Sequence, residues 1–258
     1  MYEAFAYLYD VFMDNIPYEE WCEYLRSILV EEGVKEGLLC ELGCGTGNMT
    51  ELLMEAGYDM IGIDNSEDML DVAREKLYEL EFEGEPPILY LNQDMRSFEL
   101  YGTVRAIVSV CDSLNYLTDS KDVLKVLKLA ANYLDPGGVF IFDMKTDYFY
   151  RTRMGDNTFT DVREDCAMIW ENEYDEANRI NSYNLTLFDR DEDGRYVRSE
   201  EFHTQRAYSI EEMRALIEEA GLEFVASYNA FTREAATETS ERVYYVVREK
   251  HHEGKLYI

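Results

Sequence analysis

A chain of 258 residues, 47% of them hydrophobic, is long enough to bury a full core and fits one domain with an embellishment. Its formal net charge of −30 repels polyanions and disfavours nucleic acid as a partner, although solubility explains the acidity equally well. No run approaches the roughly 18 apolar residues of a membrane span, and the five cysteines form no C-x-x-C pair. The composition therefore predicts a cytoplasmic protein with reduced cysteines, no metal and no membrane segment.

Helical and strand-like periodicities alternate along most of the chain. The predicted elements in chain order are helices 2–10 and 18–32, strand 38–43, helix 47–56, strand 59–64, helix 67–80, strands 88–92 and 104–110, helix 120–134, strand 138–143, helix 209–220, and strands 222–230 and 241–249. Such alternation is typical of a parallel sheet with helices on both faces. The expected fold class is therefore α/β, with a long interruption after residue 143.

A glycine-rich loop follows the first predicted strand, with Gly43, Gly45 and Gly47 at alternate positions. Glycine has no Cβ, so this loop can adopt positive φ and bring its backbone amides close to a ligand. A strand, a glycine-rich turn and a helix form the nucleotide-binding corner of an α/β sheet. A dinucleotide motif requires glycine where this chain has Asn48, and Glu41 would repel a pyrophosphate. A buried acid suits the ammonium and sulfonium of S-adenosylmethionine, which favours this cofactor over NAD.

A second acid, Asp64, ends the next predicted strand and lies 21 positions after Gly43. This spacing matches the roughly 20-residue offset at which a carboxylate accepts hydrogen bonds from ribose hydroxyls. The alternative is that Asp64 and Ser66 only cap the helix that begins at Glu67. Because the acid follows a glycine-rich strand–loop–helix, ribose binding is the favoured interpretation.

Five segments in order resemble the motifs of class I S-adenosylmethionine-dependent methyltransferases, and the match covers nearly the whole chain. The segments are the glycine motif 41–47, the ribose-acid segment 62–66, the segment 92–96, the strand and loop 108–116, and the turn and strand 134–143. The resemblance implies a Rossmann-like, seven-stranded, mostly parallel, doubly wound sheet whose last strand runs antiparallel. It also implies S-adenosylmethionine as the methyl donor and S-adenosylhomocysteine as the product.

The resemblance also implies which residues contact the cofactor. Asp94 corresponds to the acid that contacts the adenine amino group. The opening segment 1–10 is similar to the N-terminal helix of small-molecule N-methyltransferases, including those that dimethylate nucleotide-linked amino sugars, where it folds over the cofactor and supplies tyrosines. The residues expected to bind the cofactor are Tyr9, Glu41, Gly43, Gly45, Gly47, Asp64, Asn65, Asp94, Met95 and Cys111.

Residues 156–206 interrupt the alternation and are predicted to form an antiparallel β-insertion. Two segments, 166–171 and 182–187, have strand character, and residues 191–194 form a turn before a further strand at 195–198. The insertion carries 14 acidic and 6 basic residues, so it is no obvious phosphate-binding lid. A solvated structural flap is the alternative to a wall over the acceptor pocket, and the second is favoured. The domain assignment is residues 1–155 with 207–258 for the cofactor-binding domain and 156–206 for a substrate cap.

The acceptor end is less well defined by the sequence. His203 is the one credible histidine base, because His251 and His252 lie in the C-terminal tail, and Asp112 is the other catalytic candidate. Arg206, with Arg195 and Arg198, forms a small patch able to bind one phosphate. The residues expected to bind substrate are Tyr2, Asn115, Tyr116, Tyr148 and Arg206.

The predicted function is methyl transfer from S-adenosylmethionine to a small molecule, with an amine marginally favoured over a hydroxyl acceptor. Segment 113–116 does not repeat the acceptor residues of the amino-sugar enzymes, so the acceptor cannot be identified from the resemblance. Two alternatives stay open: an RNA-base methyltransferase that uses a local basic patch, and an S-adenosylmethionine-binding protein that methylates nothing. A dehydrogenase ranks third. The oligomeric state, monomer or homodimer, is left open.

Overall fold

The computed structural model describes residues 3–80, 86–250 and 255, with the backbone alone for residues 3–5. The helices are α1 (Glu3–Phe12), α2 (Tyr18–Glu31), α3 (Asn48–Glu55), α4 (Glu67–Glu79), a 3-10 turn (Ser113–Tyr116), α5 (Ser120–Tyr133), α6 (Asp147–Phe149) with a π-helical turn after it (Tyr150–Met154), and α7 (Ile210–Glu219). The strands are β1 (Leu38–Leu42), β2 (Asp59–Asp64), β3 (Ile88–Asn92), β4 (Val104–Ser109), β5 (Leu134–Lys145), β6 (Thr158–Val162), β7 (Cys166–Asp175), β8 (Ile180–Arg190), β9 (Tyr196–Arg206), β10 (Glu223–Asn229) and β11 (Arg242–Arg248).

Seven strands form the central sheet in the order β10-β11-β5-β4-β1-β2-β3. The pairs among β1 to β5 are parallel, whereas β11 runs antiparallel to β5 and β10 antiparallel to β11. This arrangement confirms the predicted Rossmann-like sheet with its antiparallel end. Since β1 has β2 on one side and β4 on the other, the strand order reverses there, which is where open α/β sheets bind ligands.

The sheet is covered on both faces because alternate residues of its central strands point in opposite directions. Leu39 of β1 packs with the apolar sides of α2, α3 and α4, and its neighbour Cys40 packs with those of α5 and α7. All five residues of β1 are at least half-buried, and four are fully buried. A continuous apolar strand of this kind is typical of a parallel sheet between two helical layers.

A second sheet, four-stranded and antiparallel in the order β6-β7-β8-β9, lies between α6 and α7 in the chain. The predicted insertion strands are present, but β7 extends to Asp175 and β6 was not predicted. Strand β9 continues to Arg206, beyond the predicted strand at 195–198. Burial alternates along this second half of the strand: Glu201, His203 and Gln205 face inward while Phe202 is 69% exposed. Among the described helices, none has the length and hydrophobicity required to cross a bilayer.

Candidate cofactor and acceptor site

A cavity of about 320 Å³ lies at the carboxyl ends of β1, β2 and β4. Its wall also includes Tyr9 from α1, Tyr18 from α2 and His203 from β9, so three separate parts of the chain enclose it. The lining residues that were predicted to bind cofactor or substrate, or to act in catalysis, are Tyr9, Glu41, Gly43, Gly45, Asp64, Asn65, Asp94, Met95, Cys111, Tyr116 and His203. The cavity therefore joins the glycine loop, both strand-end acids and the candidate histidine.

The glycine loop lies close against its neighbours. Gly43 and Gly45 have φ of 72° and 53°, the left-handed region that glycine adopts without cost. The Gly43 and Cys44 amides donate to the Ile63 carbonyl, and the Gly45 amide donates to Asp64 Oδ2 at 2.9 Å. A Cβ on Gly43 would lie 2.7 Å from Ser113 Oγ, whereas one on Gly45 would meet nothing within 4 Å.

This difference in space predicts that glycine-to-alanine substitutions at the two positions destabilise the protein by different amounts. Gly43→Ala is expected to lower the free energy of unfolding by about 2–4 kcal/mol, because the methyl group collides with Ser113 in addition to the left-handed strain. Gly45→Ala carries the strain alone, about 1–2 kcal/mol. Urea denaturation of both variants without ligand measures the difference. Equal losses would contradict the role assigned to Ser113 packing.

Glu41 is a buried acid at the end of β1, only 2% exposed. Its Oε2 accepts a hydrogen bond of 2.5 Å from the Thr50 hydroxyl. Burial raises the pKa of Glu41 to about 8, and the Thr50 hydrogen bond opposes this shift only in part. No lysine or arginine among the described residues forms an ion pair with this carboxylate. A cation entering the cavity would therefore find an acid whose ionisation it can stabilise.

The acids at the ends of β2 and just after β3 are already engaged by the protein. Asp64 accepts backbone hydrogen bonds from Gly45 and Ser66, each 2.9 Å long, and burial outweighs them to raise its pKa. Asp94 is bound by the Arg96 side chain, with the Asp94 Oδ2 to Arg96 Nη2 distance 2.5 Å, which lowers the pKa of Asp94. Arg96 also reaches Asp122 at 3.3 Å. Ser66 caps α4 by accepting from the Met69 amide, and Asp64 lies in the cavity wall.

Helix α1 is joined to the glycine loop by polar contacts that the sequence analysis did not identify. Asp10 accepts hydrogen bonds from Thr46 at 2.7 Å and from Asn48 at 2.8 Å, and it forms an ion pair with Lys76 at 3.2 Å. Lys76 also donates to the Thr46 carbonyl at 3.0 Å. Because these residues lie on α1, the loop and α4, their contacts hold Tyr9 of α1 over the cavity.

The end of the cavity beyond β4 is aromatic. His203 stacks on Tyr183 with ring centroids 4.9 Å apart and makes a T-shaped contact with Tyr116, with centroids 5.9 Å apart. The Tyr116 and Tyr183 hydroxyls are 2.5 Å apart, and His203 Nε2 is 3.2 Å from Oε2 of the buried Glu201. The sequence signal for Glu201 is its position two residues before His203 on one strand, which places both side chains on one face.

Several predicted site residues lie outside this cavity wall. Asn115 is fully buried and bonds to the backbone of Lys145 and Arg206, so it supports the fold and is not exposed to substrate. The Arg206 side chain, expected to bind substrate, forms an ion pair with Glu212 at 2.7 Å and stacks on Tyr208 away from the cavity lining. Gly47, at φ 82°, caps α3 behind the wall, and the half-buried Tyr148 also lies off it. Tyr2, His251 and His252 lie outside the described residues.

The surroundings of Asp112 disfavour its expected role as a base. Asp112 lies off the cavity wall, forms ion pairs with Arg242 at 2.8 Å and Lys145 at 3.2 Å, and accepts a hydrogen bond from Gln205 at 2.9 Å. Burial opposes its ionisation, but these partners outweigh burial and lower the pKa of Asp112. A carboxylate held ionised in this way is a poor proton acceptor.

Comparison with known proteins agrees with the cofactor chemistry. Residues 39–138 match a family model described as "Methyltransferase domain". The chain is 32% identical over 248 residues to "Putative methyltransferase YqeM" of Bacillus subtilis (strain 168), covering 95% of this chain and 96% of the relative. The crystal structure of an S-adenosylmethionine-dependent methyltransferase from Clostridium acetobutylicum ATCC 824 has a TM-score of 0.83 and 28% identity, covering 97% of this chain and 99% of that one.

The chain belongs to the S-adenosylmethionine-dependent methyltransferase family. Its fold is shared by the sugar N-methyltransferase KedS8 from Streptoalloteichus sp ATCC 53650, with a TM-score of 0.76 and 18% identity, covering 94% of this chain and 93% of that one. The cavity fits the cofactor on structural grounds, because Glu41 is a buried acid that a bound ammonium would neutralise. We infer that Glu41 and the glycine loop would hold the methionyl end, and that Asp64 and Asp94 would hold the ribose and adenine.

Proposed function

We propose that this methyltransferase acts on the amine nitrogen of a small molecule. The observation that carries the proposal is His203, a histidine that is 5% exposed, lines the cavity and contacts Glu201 at 3.2 Å. The fold shared with a sugar N-methyltransferase also supports the proposal. The likeness covers 94% of this chain, so it extends into the antiparallel insertion as well as the cofactor-binding sheet. The net charge of −30 argues against RNA as the acceptor.

The bound cofactor supplies a methyl group activated on a sulfonium. The chain's own contribution is to aim the acceptor and to remove a proton from it, because a protonated amine has no lone pair for attack. If Nε2 of His203 carries its hydrogen and donates to Glu201, then Nδ1 is the nitrogen that accepts the proton. We assign His203 the role of proton acceptor and Glu201 that of a positioning residue.

We also propose that separate parts of the chain bind the cofactor and cover the acceptor. Residues 1–155 and 207–258 bind the cofactor, and residues 156–206 form a cap over the acceptor end. The support for this cap is that β9 of the antiparallel sheet places His203 in the cavity wall beside Tyr116.

The proposal is tested by S-adenosylhomocysteine release with a panel of small primary and secondary amines, the matched alcohols, and unmodified transfer RNA. We expect turnover with at least one amine and none with its alcohol. Turnover with the RNA alone, or with alcohols alone, would overturn the proposal. No turnover with any acceptor, despite cofactor binding, would support the non-methylating alternative.

The same assay defines the part played by the histidine. His203→Gln is expected to lower turnover of the best amine by about 100-fold or more, the usual contribution of a general base, while S-adenosylmethionine affinity stays within about threefold. Phe202→Ala is the matched control, since Phe202 adjoins His203 on the opposite face of β9 and is 69% exposed. Unchanged turnover of the His203 variant would eliminate the proposed proton transfer.

A further inference from the structure

Four rings enclose the acceptor end of the cavity. Tyr9, Tyr18, Tyr116 and His203 all line it. Tyr9 is close enough to Tyr18 and Tyr116 that, after the larger effect of burial, both raise the pKa of its hydroxyl. Tyr116 in turn meets the His203 ring at 5.9 Å. These contacts run from Tyr18 through Tyr9 and Tyr116 to His203, so the four rings form one connected part of the cavity lining.

Positive side chains are scarce in the same cavity. Within its described lining, Arg96 is the single lysine or arginine, and it is paired with Asp94 and Asp122 at the adenine end. Lys145 and Arg242 lie near but are paired with Asp112 behind the wall. A phosphate or carboxylate at the acceptor end would lose its water without gaining a lysine or arginine as counter-ion, which is unfavourable.

An organic cation, unlike an anion, is favoured by the groups at this end of the cavity. The faces of tyrosine rings attract a cation that comes within about 6 Å of the ring centroid. Glu201, 8% exposed and bonded to His203, adds a negative charge directly behind the ring wall. Both features favour a positive group, and the second also stabilises the imidazolium that forms when His203 takes a proton.

We propose that the acceptor enters as an organic ammonium ion with no phosphate or carboxylate at its reacting end, enclosed by the rings of Tyr9, Tyr18, Tyr116 and His203. This inference rests on the proposed function, because it takes this end of the cavity as the acceptor's. The ammonium gives one proton to His203, and its freed lone pair then attacks the methyl group. The C–S bond breaks as the N–C bond forms, the product leaves as a methylated ammonium, and His203 releases its proton to water.

The test uses probes that need no turnover. Choline carries a fixed positive charge, 3,3-dimethylbutan-1-ol has the same shape without the charge, and phosphocholine adds a phosphate. Calorimetry on the full chain saturated with S-adenosylhomocysteine measures binding of each probe. We expect choline to bind on the order of three- to thirtyfold more tightly than the neutral alcohol, and phosphocholine to bind more weakly than choline.

Three variants test whether the Tyr116 ring causes the preference for choline over the neutral alcohol. Tyr116→Leu is expected to reduce the preference of choline over the alcohol to within about twofold, whereas Tyr116→Phe keeps the ring and the preference. Tyr101→Leu is the control, because Tyr101 is a fully exposed tyrosine away from the cavity lining. Retained S-adenosylhomocysteine affinity and melting temperature show that each variant is folded.

The outcomes separate this inference from the proposed function. Equal binding of choline and the neutral alcohol, or tighter binding of phosphocholine, overturns the cation site even if an amine is methylated. A choline preference that Tyr116→Leu leaves intact also overturns it. A choline preference that disappears in this variant supports the site even if the amine panel gives no turnover, a result that would count against the proposed function alone.

Discussion

Replacing Asp112 with alanine is expected to lower the free energy of unfolding by about 3–5 kcal/mol, the usual cost of removing one partner from a buried ion pair. The carboxylate is 8% exposed and neutralises Arg242 and Lys145, whose side chains are only 15% and 16% exposed. Without it, Arg242 keeps Asp143 as a partner but Lys145 loses its ion pair. The loss therefore leaves an uncompensated positive charge in the interior.

The backbone at this position adds to the expected cost. Cys111 and Asp112 have φ of 59° and 56°, a conformation that costs most side chains about 1–2 kcal/mol. Aspartate and asparagine tolerate it better than alanine, so Asp112→Asn is expected to cost less than Asp112→Ala. The Gln205 hydrogen bond to Asp112 also joins β9 to the loop after β4. Loosening Asp112 is therefore expected to move Cys111 and Tyr116 relative to His203.

Urea denaturation at neutral pH measures these differences, with Glu200→Ala as the control. Glu200 forms an even shorter ion pair with Arg198, at 2.5 Å, but both side chains are about half exposed, so its loss is expected to cost about 0–1 kcal/mol. Since the folded pKa of Asp112 is lowered, its contribution is complete above the ordinary pKa near 4 and is lost as pH falls through the folded value. A loss for Asp112→Ala no larger than that for Glu200→Ala would refute the buried-pair account.

Local patterns in the sequence were enough to predict the cofactor corner. Gly43, Gly45 and Asp64 lie within 22 consecutive residues, so strand and loop periodicity fixes their relation. The contacts that complete the site are long-range: Lys76 to Asp10 spans 66 positions and Arg242 to Asp112 spans 130. No periodicity links such pairs, because the fold alone brings them together. This is why the Asp10 contacts were missed and Asp112 was assigned a catalytic role.

The acceptor end of the site also depends on tertiary contacts that sequence patterns do not reveal. Residues 201–206 lie in the predicted β-insertion, and their side chains alternate between inward and outward. Glu201, His203 and Gln205 are buried because β9 packs against the loop after β4, which is a tertiary effect. Glu201 became a candidate only when the 3.2 Å contact with His203 was visible.

Replacing Glu41 with glutamine is expected to weaken S-adenosylmethionine binding by about 10- to 100-fold at pH 8, the value of one charge-assisted hydrogen bond. The amide keeps the size of the side chain and can still accept from Thr50, so the variant changes charge rather than packing. In the free protein the pKa of Glu41 is raised to about 8, so binding a cation below that pH releases a proton. Wild-type affinity should therefore rise with pH up to about 8, relative to the variant.

Comparison with the variant at each pH is essential, because the cofactor's own amine titrates in the same range. The ligand's titration is common to both proteins and cancels in the ratio of their affinities. Calorimetry at pH 6, 7 and 8 gives that ratio, and buffers of different ionisation enthalpy report the released proton. A ratio near one at pH 8, or one that does not change with pH, would show that Glu41 does not pair with the cofactor.

The same substitution has the opposite effect on the protein without ligand. An acid whose folded pKa is raised is most favourable to folding while it is protonated in both states, so its contribution falls as pH rises from about 4.5 to about 8. Glu41→Gln removes this titration and is expected to be more stable than wild type by several kcal/mol at pH 9. Glu219→Gln, at the exposed end of α7, is the control and should show no such trend. A variant that is more stable but binds the cofactor more weakly shows that the buried charge of Glu41 serves binding. If Glu41 were purely structural, its replacement would lower both stability and affinity.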